Sequence, residues 1–104
     1  MKPNFFIIGA PKSGTTALSE YLRLHPQVCF SVDKEPNFWN DDFSGICSVR
    51  SLDEYLDLFR HAGPGVKACG EGSVNYLYSV RAVPRILEFN PEARFIALLR
   101  NPVE

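Results

Sequence analysis

The chain has 104 residues and a formal net charge of −1, with 45% hydrophobic and 22% charged residues. This length suits one modest globular domain, and the near-neutral charge disfavours a nucleic-acid partner, because binding to a polyanion needs a basic surface. The apolar runs are too short to cross a membrane, so we expect no membrane partner.

The N-terminus and the cysteines give an expectation about the compartment. The first four residues lead into an apolar run without a long hydrophobic region or a small-residue cleavage site, so we predict no secretory signal and a cytoplasmic location. Cys29, Cys47 and Cys69 are odd in number and far apart, with only two histidines to complete a metal shell. We interpret them as buried thiols, with zinc as a remote alternative, and predict no metal site.

Apolar periodicity divides the first half of the chain into alternating elements. Phe5 to Ile8 is a short apolar run typical of a buried strand, Thr15 to His25 has apolar residues at helical spacing, and Val28 to Phe30 is a second strand candidate. Asp33 to Arg50 is polar, aromatic and poorly periodic. We predict a loop or an irregular insertion there, where function often lies.

The second half continues this alternation with two helices and two strands. The predicted elements are a helix that begins at the capping box of Ser51 and Glu54 and closes at Gly63, a strand over 65–70, a helix over 79–89 and a strand over 94–99. Pro84 is compatible with its helix only in the first turn. This order predicts an α/β fold with a parallel sheet flanked by helices.

The first strand and the first helix are joined by GAPKSGTT, a glycine-rich turn. Such a turn presents several backbone N–H groups to one point, and the dipole of the following helix adds positive charge, so the expected ligand is an anion. Thr15 and Thr16 can add hydroxyl donors. Lys12 precedes Gly14, whereas the lysine of a nucleoside-triphosphate loop follows its second glycine. The alternative is a tight turn with a solvated lysine.

Two segments resemble the donor site of sulfotransferases that use 3′-phosphoadenosine 5′-phosphosulfate (PAPS). The first is similar to the 5′-phosphosulfate loop of that family and comprises Pro11, Lys12, Ser13, Gly14, Thr15 and Thr16. The resemblance implies that Lys12 stabilises the bridging oxygen as the sulfuryl group leaves. The second is Leu-Leu-Arg-Asn-Pro near the end of the chain, and it implies that Arg100 holds the ribose 3′-phosphate with its guanidinium fork.

The segment KEPNFW over residues 34–39 is similar to the part of heparan-sulfate-type and bacterial sulfotransferases that carries the proposed general base. The resemblance implies that Glu35 accepts the proton of the acceptor hydroxyl. The alternative is that Glu35 pairs with Lys34 or another surface cation. We interpret the two aromatic residues, Phe38 and Trp39, as packing residues, and the adjacent Asp41-Asp42 pair as solvated carboxylates.

The segment EGSVNY over residues 71–76, predicted to follow the third strand, resembles the family's Glu-Lys-Ser segment. Gly72 stands where many relatives carry a lysine, which removes one contact to the sulfuryl group and leaves Lys12 as the expected cation. Ser73 and Tyr76 either line the acceptor side or form the turn into the next helix.

The resemblance implies a P-loop-NTPase-like sulfotransferase core, truncated, of which residues 1–104 are the N-terminal part of a single domain. It implies sulfuryl transfer from PAPS to a hydroxyl of a carbohydrate or small molecule, with a C-terminal portion or a second chain completing the nucleotide pocket. Two alternatives stay open. One is a non-catalytic fragment that binds adenosine 3′,5′-bisphosphate, and the other is a P-loop kinase or NTPase, which the displaced Lys12 disfavours.

Overall fold

The structure, a computed structural model, describes residues 2–10, 14–42, 45, 47 and 49–98. Its elements in chain order are β1 (Phe5–Gly9), α1 (Thr15–Leu24), β2 (Val28–Phe30), α2 (Leu52–Asp57), β3 (Ala68–Gly72), the 3₁₀ helix η1 (Val74–Tyr78), α3 (Ala82–Phe89) and β4 (Arg94–Ala97). This alternation of strands and helices confirms the predicted α/β class.

The four strands form one parallel sheet in the order β2-β3-β1-β4. In the central strand, Phe6 lies opposite Glu71 of β3 on one side and Phe95 of β4 on the other. The chain leaves β1 toward one edge of the sheet and leaves β3 toward the other edge. Because α/β folds bind ligands where two adjacent strands diverge in this way, the carboxyl ends of β1 and β3 are the expected site.

Helices cover both faces of the sheet, and each face has its own apolar cluster. On one face, Phe5, Ile7 and Phe30 pack against Leu18 and Leu22 of α1. The larger cluster lies on the other face and contains Phe6, Cys29, Trp39, Val49, Tyr55, Phe59, Cys69, Tyr76, Ala82 and Ile86. This second cluster draws on α2, α3 and the loop after β2, so the loop is packed into the core rather than lying free over the sheet.

Several boundaries differ from the predicted ones. The third strand covers Ala68–Gly72 instead of 65–70, because the chain is still in a turn at Val66, whose N–H bonds the carbonyl of Gly63 at 3.2 Å. Glu71 therefore lies within the strand and not after it. The helix α2 ends at Asp57, well before Gly63, and residues 58–61 form successive turns.

The third helix begins at Ala82, three residues later than predicted, because Ser79 is extended (φ −82°, ψ 138°) and residues 80–81 form a bend. Pro84 lies in the first turn of α3, as predicted, where the helix needs no N–H group from it. The strand β4 ends at Ala97 and forms one edge of the described sheet, with Phe95 and Ile96 half-buried.

The cysteine interpretation is right for two residues and wrong for one. Cys29 and Cys69 are buried side by side on neighbouring strands, whereas Cys47 is exposed in the loop after β2. Burial raises the pKa of the Cys69 thiol to about 12, so this thiol stays protonated. Among the described residues no cluster of histidine, cysteine and carboxylate side chains suits a metal ion. In that same part of the chain no helix is long and apolar enough to cross a membrane.

Candidate active site

A narrow cleft of about 60 Å³ opens at the carboxyl ends of β1 and β3. Its walls come from α1, from the loop after β2 and from the residues that end β3. The lining residues are Thr15, Thr16, Ser19, Glu20, Arg23, Lys34, Glu35, Gly72 and Val74. The cleft thus lies where the strand order places a ligand, and it brings together three predicted site residues from two distant segments.

The N-terminus of α1 contributes Thr15 and Thr16 to the lining of the cleft. Gly14 is the N-cap and has φ +86°, a left-handed conformation that glycine adopts without the steric penalty of a Cβ atom. Because glycine has no side chain, it cannot cap the first N–H groups of the helix, and the first turn carries no acidic residue. These N–H groups and the helix dipole favour an anion at this point.

The two threonines of the loop have different environments. Thr15 is 9% exposed and packs inward, whereas Thr16 is exposed on the cleft wall. The hydroxyl of Thr16 is therefore the more accessible donor. Pro11, Lys12 and Ser13 lie outside the described residues, and so does Arg100, so their roles stay predictions from the sequence.

Glu35 also lines the cleft and is exposed to solvent. Its Oε1 atom accepts the backbone N–H of Val74, at the start of η1, at 3.1 Å. Its carbonyl oxygen accepts the side-chain amide of Asn37 at 3.2 Å, and Asn37 has φ 50°, which asparagine tolerates better than most residues. The Glu35 carboxylate thus bonds the backbone amide of Val74. It does not pair with Lys34, as the alternative interpretation had it.

The aromatic residues after Glu35 are packing residues, as predicted. Trp39 is 5% exposed, and its ring centroid lies 4.9 Å from that of Phe89. The ring of Phe38 stacks on Tyr55 with centroids 4.8 Å apart. The guanidinium of Arg85 lies 5.2 Å from the centre of the Trp39 ring. These contacts hold the loop after β2 against α2 and α3.

The interpretation of Asp41 and Asp42 as simply solvated is wrong. Asp41 pairs with Arg81, and this bond to the guanidinium lowers the pKa of the Asp41 carboxyl. Asp42 accepts the Ser79 hydroxyl at 2.5 Å and the Val80 N–H at 3.2 Å. Both carboxylates therefore join the end of the loop to the segment that leads into α3.

Next to Gly72 in β3 lies a second carboxylate, Glu71, which is 0% exposed. It accepts three hydroxyl hydrogen bonds, from Tyr55 at 2.5 Å, Ser73 at 2.7 Å and Tyr76 at 2.9 Å. Burial raises the pKa of Glu71 to about 7, although the three hydroxyls oppose that shift. No sequence pattern indicated this cluster, because Tyr55 comes from α2 and its apolar spacing says nothing about its hydroxyl.

Ser73 and Tyr76 form the turn after β3 and do not line the acceptor side, since both are 0% exposed. Ser73 Oγ accepts the N–H of Asn37 at 3.0 Å. Tyr76 Oη accepts the N–H groups of Phe38 at 3.2 Å and Trp39 at 3.5 Å. The end of β3 and the loop that carries Glu35 are therefore joined through two buried hydroxyls.

Gly72 faces α1 at the base of the cleft. A Cβ atom here would lie 3.3 Å from Ser19 Oγ and 3.5 Å from Ile7 Cβ. These distances leave space for a Cβ atom with only a small shift of the serine. Gly72 itself is one of the residues that line the cleft.

The fold and the cleft define an α/β protein in which a helix N-terminus, a place that favours an anion, and a carboxylate line the same cleft. The sequence model of the sulfotransferase family matches residues 3–48. Human carbohydrate sulfotransferase 15 is 35% identical over 98% of this chain and 26% of its own length. Human heparan sulfate glucosamine 3-O-sulfotransferase 6 is 35% identical over 97% of this chain and 28% of its own.

The crystal structure of a sulfotransferase from Alicyclobacillus acidocaldarius is similar in both sequence and fold. It is 35% identical to this chain and has a TM-score of 0.88, over 99% of this chain and 46% of that one. The chain is therefore similar to sulfotransferases in both sequence and fold. It spans about a quarter of the length of the two human relatives and under half of the bacterial structure.

Proposed function

We propose that this chain forms the donor-binding and proton-accepting part of an enzyme that transfers a sulfuryl group from PAPS to a hydroxyl of a carbohydrate. The observation that carries the proposal is that Glu35 and the first residues of α1, Thr15 and Thr16, line one cleft. A carbohydrate acceptor is supported by the human relatives, which are named as carbohydrate and heparan sulfate glucosamine sulfotransferases.

The donor nucleotide is highly anionic, whereas the chain has a net charge of only −1, so local groups must hold it. The N–H groups at the start of α1, which the N-cap Gly14 leaves without a side-chain cap, and the Thr16 hydroxyl suit the 5′-phosphosulfate. The sequence resemblance adds Lys12, with Pro11 and Ser13 in the same turn, and assigns Arg100 to the ribose 3′-phosphate.

In the proposed reaction, the acceptor oxygen attacks sulfur in line with the bond between sulfur and the bridging oxygen. The new S–O bond forms as the bridging bond breaks, which releases adenosine 3′,5′-bisphosphate and a sulfate ester. Glu35 takes the proton of the attacking hydroxyl. The positive end of α1 and Lys12 stabilise the charge that develops on the leaving phosphate.

Glu35→Gln in the full-length protein tests this proposal. We expect loss of adenosine 3′,5′-bisphosphate formation with heparan sulfate as acceptor, while calorimetry still detects binding of that nucleotide. Glu92→Gln is the matched control, because it removes the same charge from an exposed position outside the cleft. Normal turnover by Glu35→Gln would exclude the general-base role.

The same two assays decide between the proposal and a non-catalytic nucleotide binder, since binding without turnover in the unaltered protein would favour the binder. The cytoplasmic location stays a prediction. Completion of the nucleotide pocket by a C-terminal portion or a second chain is also a prediction.

A further inference from the structure

We propose that Glu71 is a positioning residue: its buried carboxylate, acting through the hydroxyls of Ser73 and Tyr76, fixes the loop that carries Glu35. The proposal rests on the proposed role of Glu35 as general base. Glu71 itself is 0% exposed and does not line the cleft, so it acts only through the groups bonded to it.

The first step concerns the direction of the hydrogen bonds. At pH values above about 7, where Glu71 is ionised, its carboxylate accepts hydrogen bonds and donates none, so each hydroxyl bonded to it must direct its single hydrogen toward it. Burial raises the pKa values of Tyr55 and Tyr76 well above the ordinary range for tyrosine, so both phenols remain donors. The carboxylate thereby sets the orientation of all three hydroxyls.

The second step concerns the acceptor side of two of these hydroxyls. A hydroxyl that donates its hydrogen to Glu71 keeps lone pairs for other donors. Ser73 uses one for the N–H of Asn37, and Tyr76 accepts the N–H groups of Phe38 and Trp39. Three consecutive backbone amides of the loop are thus held by groups whose orientation Glu71 determines.

The third step concerns Glu35 itself. Its carboxylate accepts the N–H of Val74, the residue next to Ser73, and its carbonyl accepts the side-chain amide of Asn37. Glu35 is therefore bonded to Asn37, whose N–H the network holds, and to Val74, which directly follows Ser73 of the network in the chain. A displacement of about 1 Å at a reacting group can lower a rate by about 100-fold. Loss of these bonds should therefore lower the turnover rate by displacing Glu35.

Three single-hydroxyl variants of the full-length protein separate positioning from general stability. Tyr76→Phe and Ser73→Ala each remove a link between Glu71 and the loop. Tyr55→Phe is the matched control: it removes a hydroxyl that bonds the same carboxylate but accepts none of the three backbone amides, and it keeps the ring that stacks on Phe38. We expect kcat to fall by about 10- to 100-fold in the first two variants and by less than about threefold in the control, with the KM for PAPS unchanged.

Amide hydrogen exchange gives a readout that does not depend on the chemistry of Glu35. Tyr76→Phe should speed exchange at Phe38 and Trp39, Ser73→Ala should speed it at Asn37, and Tyr55→Phe should leave all three protected. Glu71→Gln, which has nearly the same shape but places an amide donor against the hydroxyls, should loosen all three amides. Ser73→Ala provides the same comparison should Tyr76→Phe not fold.

The outcomes are distinguishable from failure of the proposed function. Unchanged exchange and kcat in Tyr76→Phe and Ser73→Ala would overturn the positioning role, even if Glu35→Gln is inactive. Equal losses of kcat in Tyr55→Phe and Tyr76→Phe would also overturn it, because the effect would then follow stability alone. Normal turnover by Glu35→Gln would instead remove the base that the network is proposed to position.

Discussion

Glu35 and Glu71 are two carboxylates at the same end of the sheet with opposite environments. Glu35 is exposed on the cleft wall and accepts one backbone amide. Glu71 is fully buried and accepts three hydroxyls. A group that exchanges a proton with a substrate needs access, whereas a group that fixes geometry benefits from burial, where hydrogen bonds are stronger and unpaired groups are costly. The exposed carboxylate suits chemistry and the buried one suits positioning.

The largest effect is expected from removing the exposed carboxylate, Glu35. Glu35→Gln should lower kcat by about 10²- to 10⁴-fold, the usual contribution of general base catalysis. It should change the free energy of unfolding by less than about 0.5 kcal/mol, because the side chain is exposed. Initial rates and urea denaturation measure the two quantities. A large loss of stability with little loss of rate would reverse the assignment.

The next effect concerns the buried carboxylate, Glu71, and the pH dependence of stability. The pKa of Glu71 is raised from 4.5 to about 7, so the folded protein holds this proton more tightly than the unfolded chain. The contribution of Glu71 to stability must therefore fall as pH rises from about 4.5 through 7. Across that range, the free energy of unfolding of the unaltered protein should fall by about 3 kcal/mol relative to that of Glu71→Gln. Urea denaturation of both proteins at several pH values measures the difference, and a rise with pH would contradict it.

A smaller effect concerns Gly14, the N-cap of α1. Gly14→Ala should destabilise the protein by about 1 kcal/mol, since a residue with a Cβ atom is strained at φ +86°. A Cβ atom here meets no described atom within 4 Å, so the loss is one of backbone conformation and not of packing. Gly63→Ala is the control, because that site is equally open and has no positive φ. Equal losses in both variants would show that the left-handed turn is not the cause.

The smallest effect is expected from adding a cation to the cleft at Gly72. Gly72→Lys should raise the affinity for adenosine 3′,5′-bisphosphate by up to about fivefold at low salt, and the gain should shrink at high salt. Gly72→Ala adds the same Cβ contact with Ser19 but no charge, and calorimetry should show no gain for it. A salt-independent gain in both variants would point to packing instead.

The fold was predictable where the chain's own pattern determines the structure. The apolar run of β1 and the helical spacing of α1 locate these two elements almost to the residue. The strand β3 was misplaced because its sequence, Ala-Cys-Gly-Glu-Gly, has no strand periodicity and contains residues that strands disfavour. Pairing with β1 and β2 makes it a strand, and that is a tertiary effect that no local window contains.

The same distinction holds for the site. Family resemblance identified Glu35 and Thr16, which the structure places on one cleft. The contacts of Glu71 were missed because hydroxyls from Tyr55 and Tyr76 meet it only after α2 and η1 have packed on the sheet. The buried network is thus a product of the assembled fold.

The bonds between the loop after β2 and the turn after β3 also bear on how the site forms during folding. They join residues that are 36 to 39 positions apart in the chain. Each bond therefore closes a long stretch of chain, and its entropic cost is met only when β2 and β3 pair. A growing chain that ends before Val74 contains Glu35 but lacks the Val74 N–H and the Tyr76 hydroxyl that bond Glu35 and its loop. Competence for chemistry should consequently appear late in folding, together with the completed sheet.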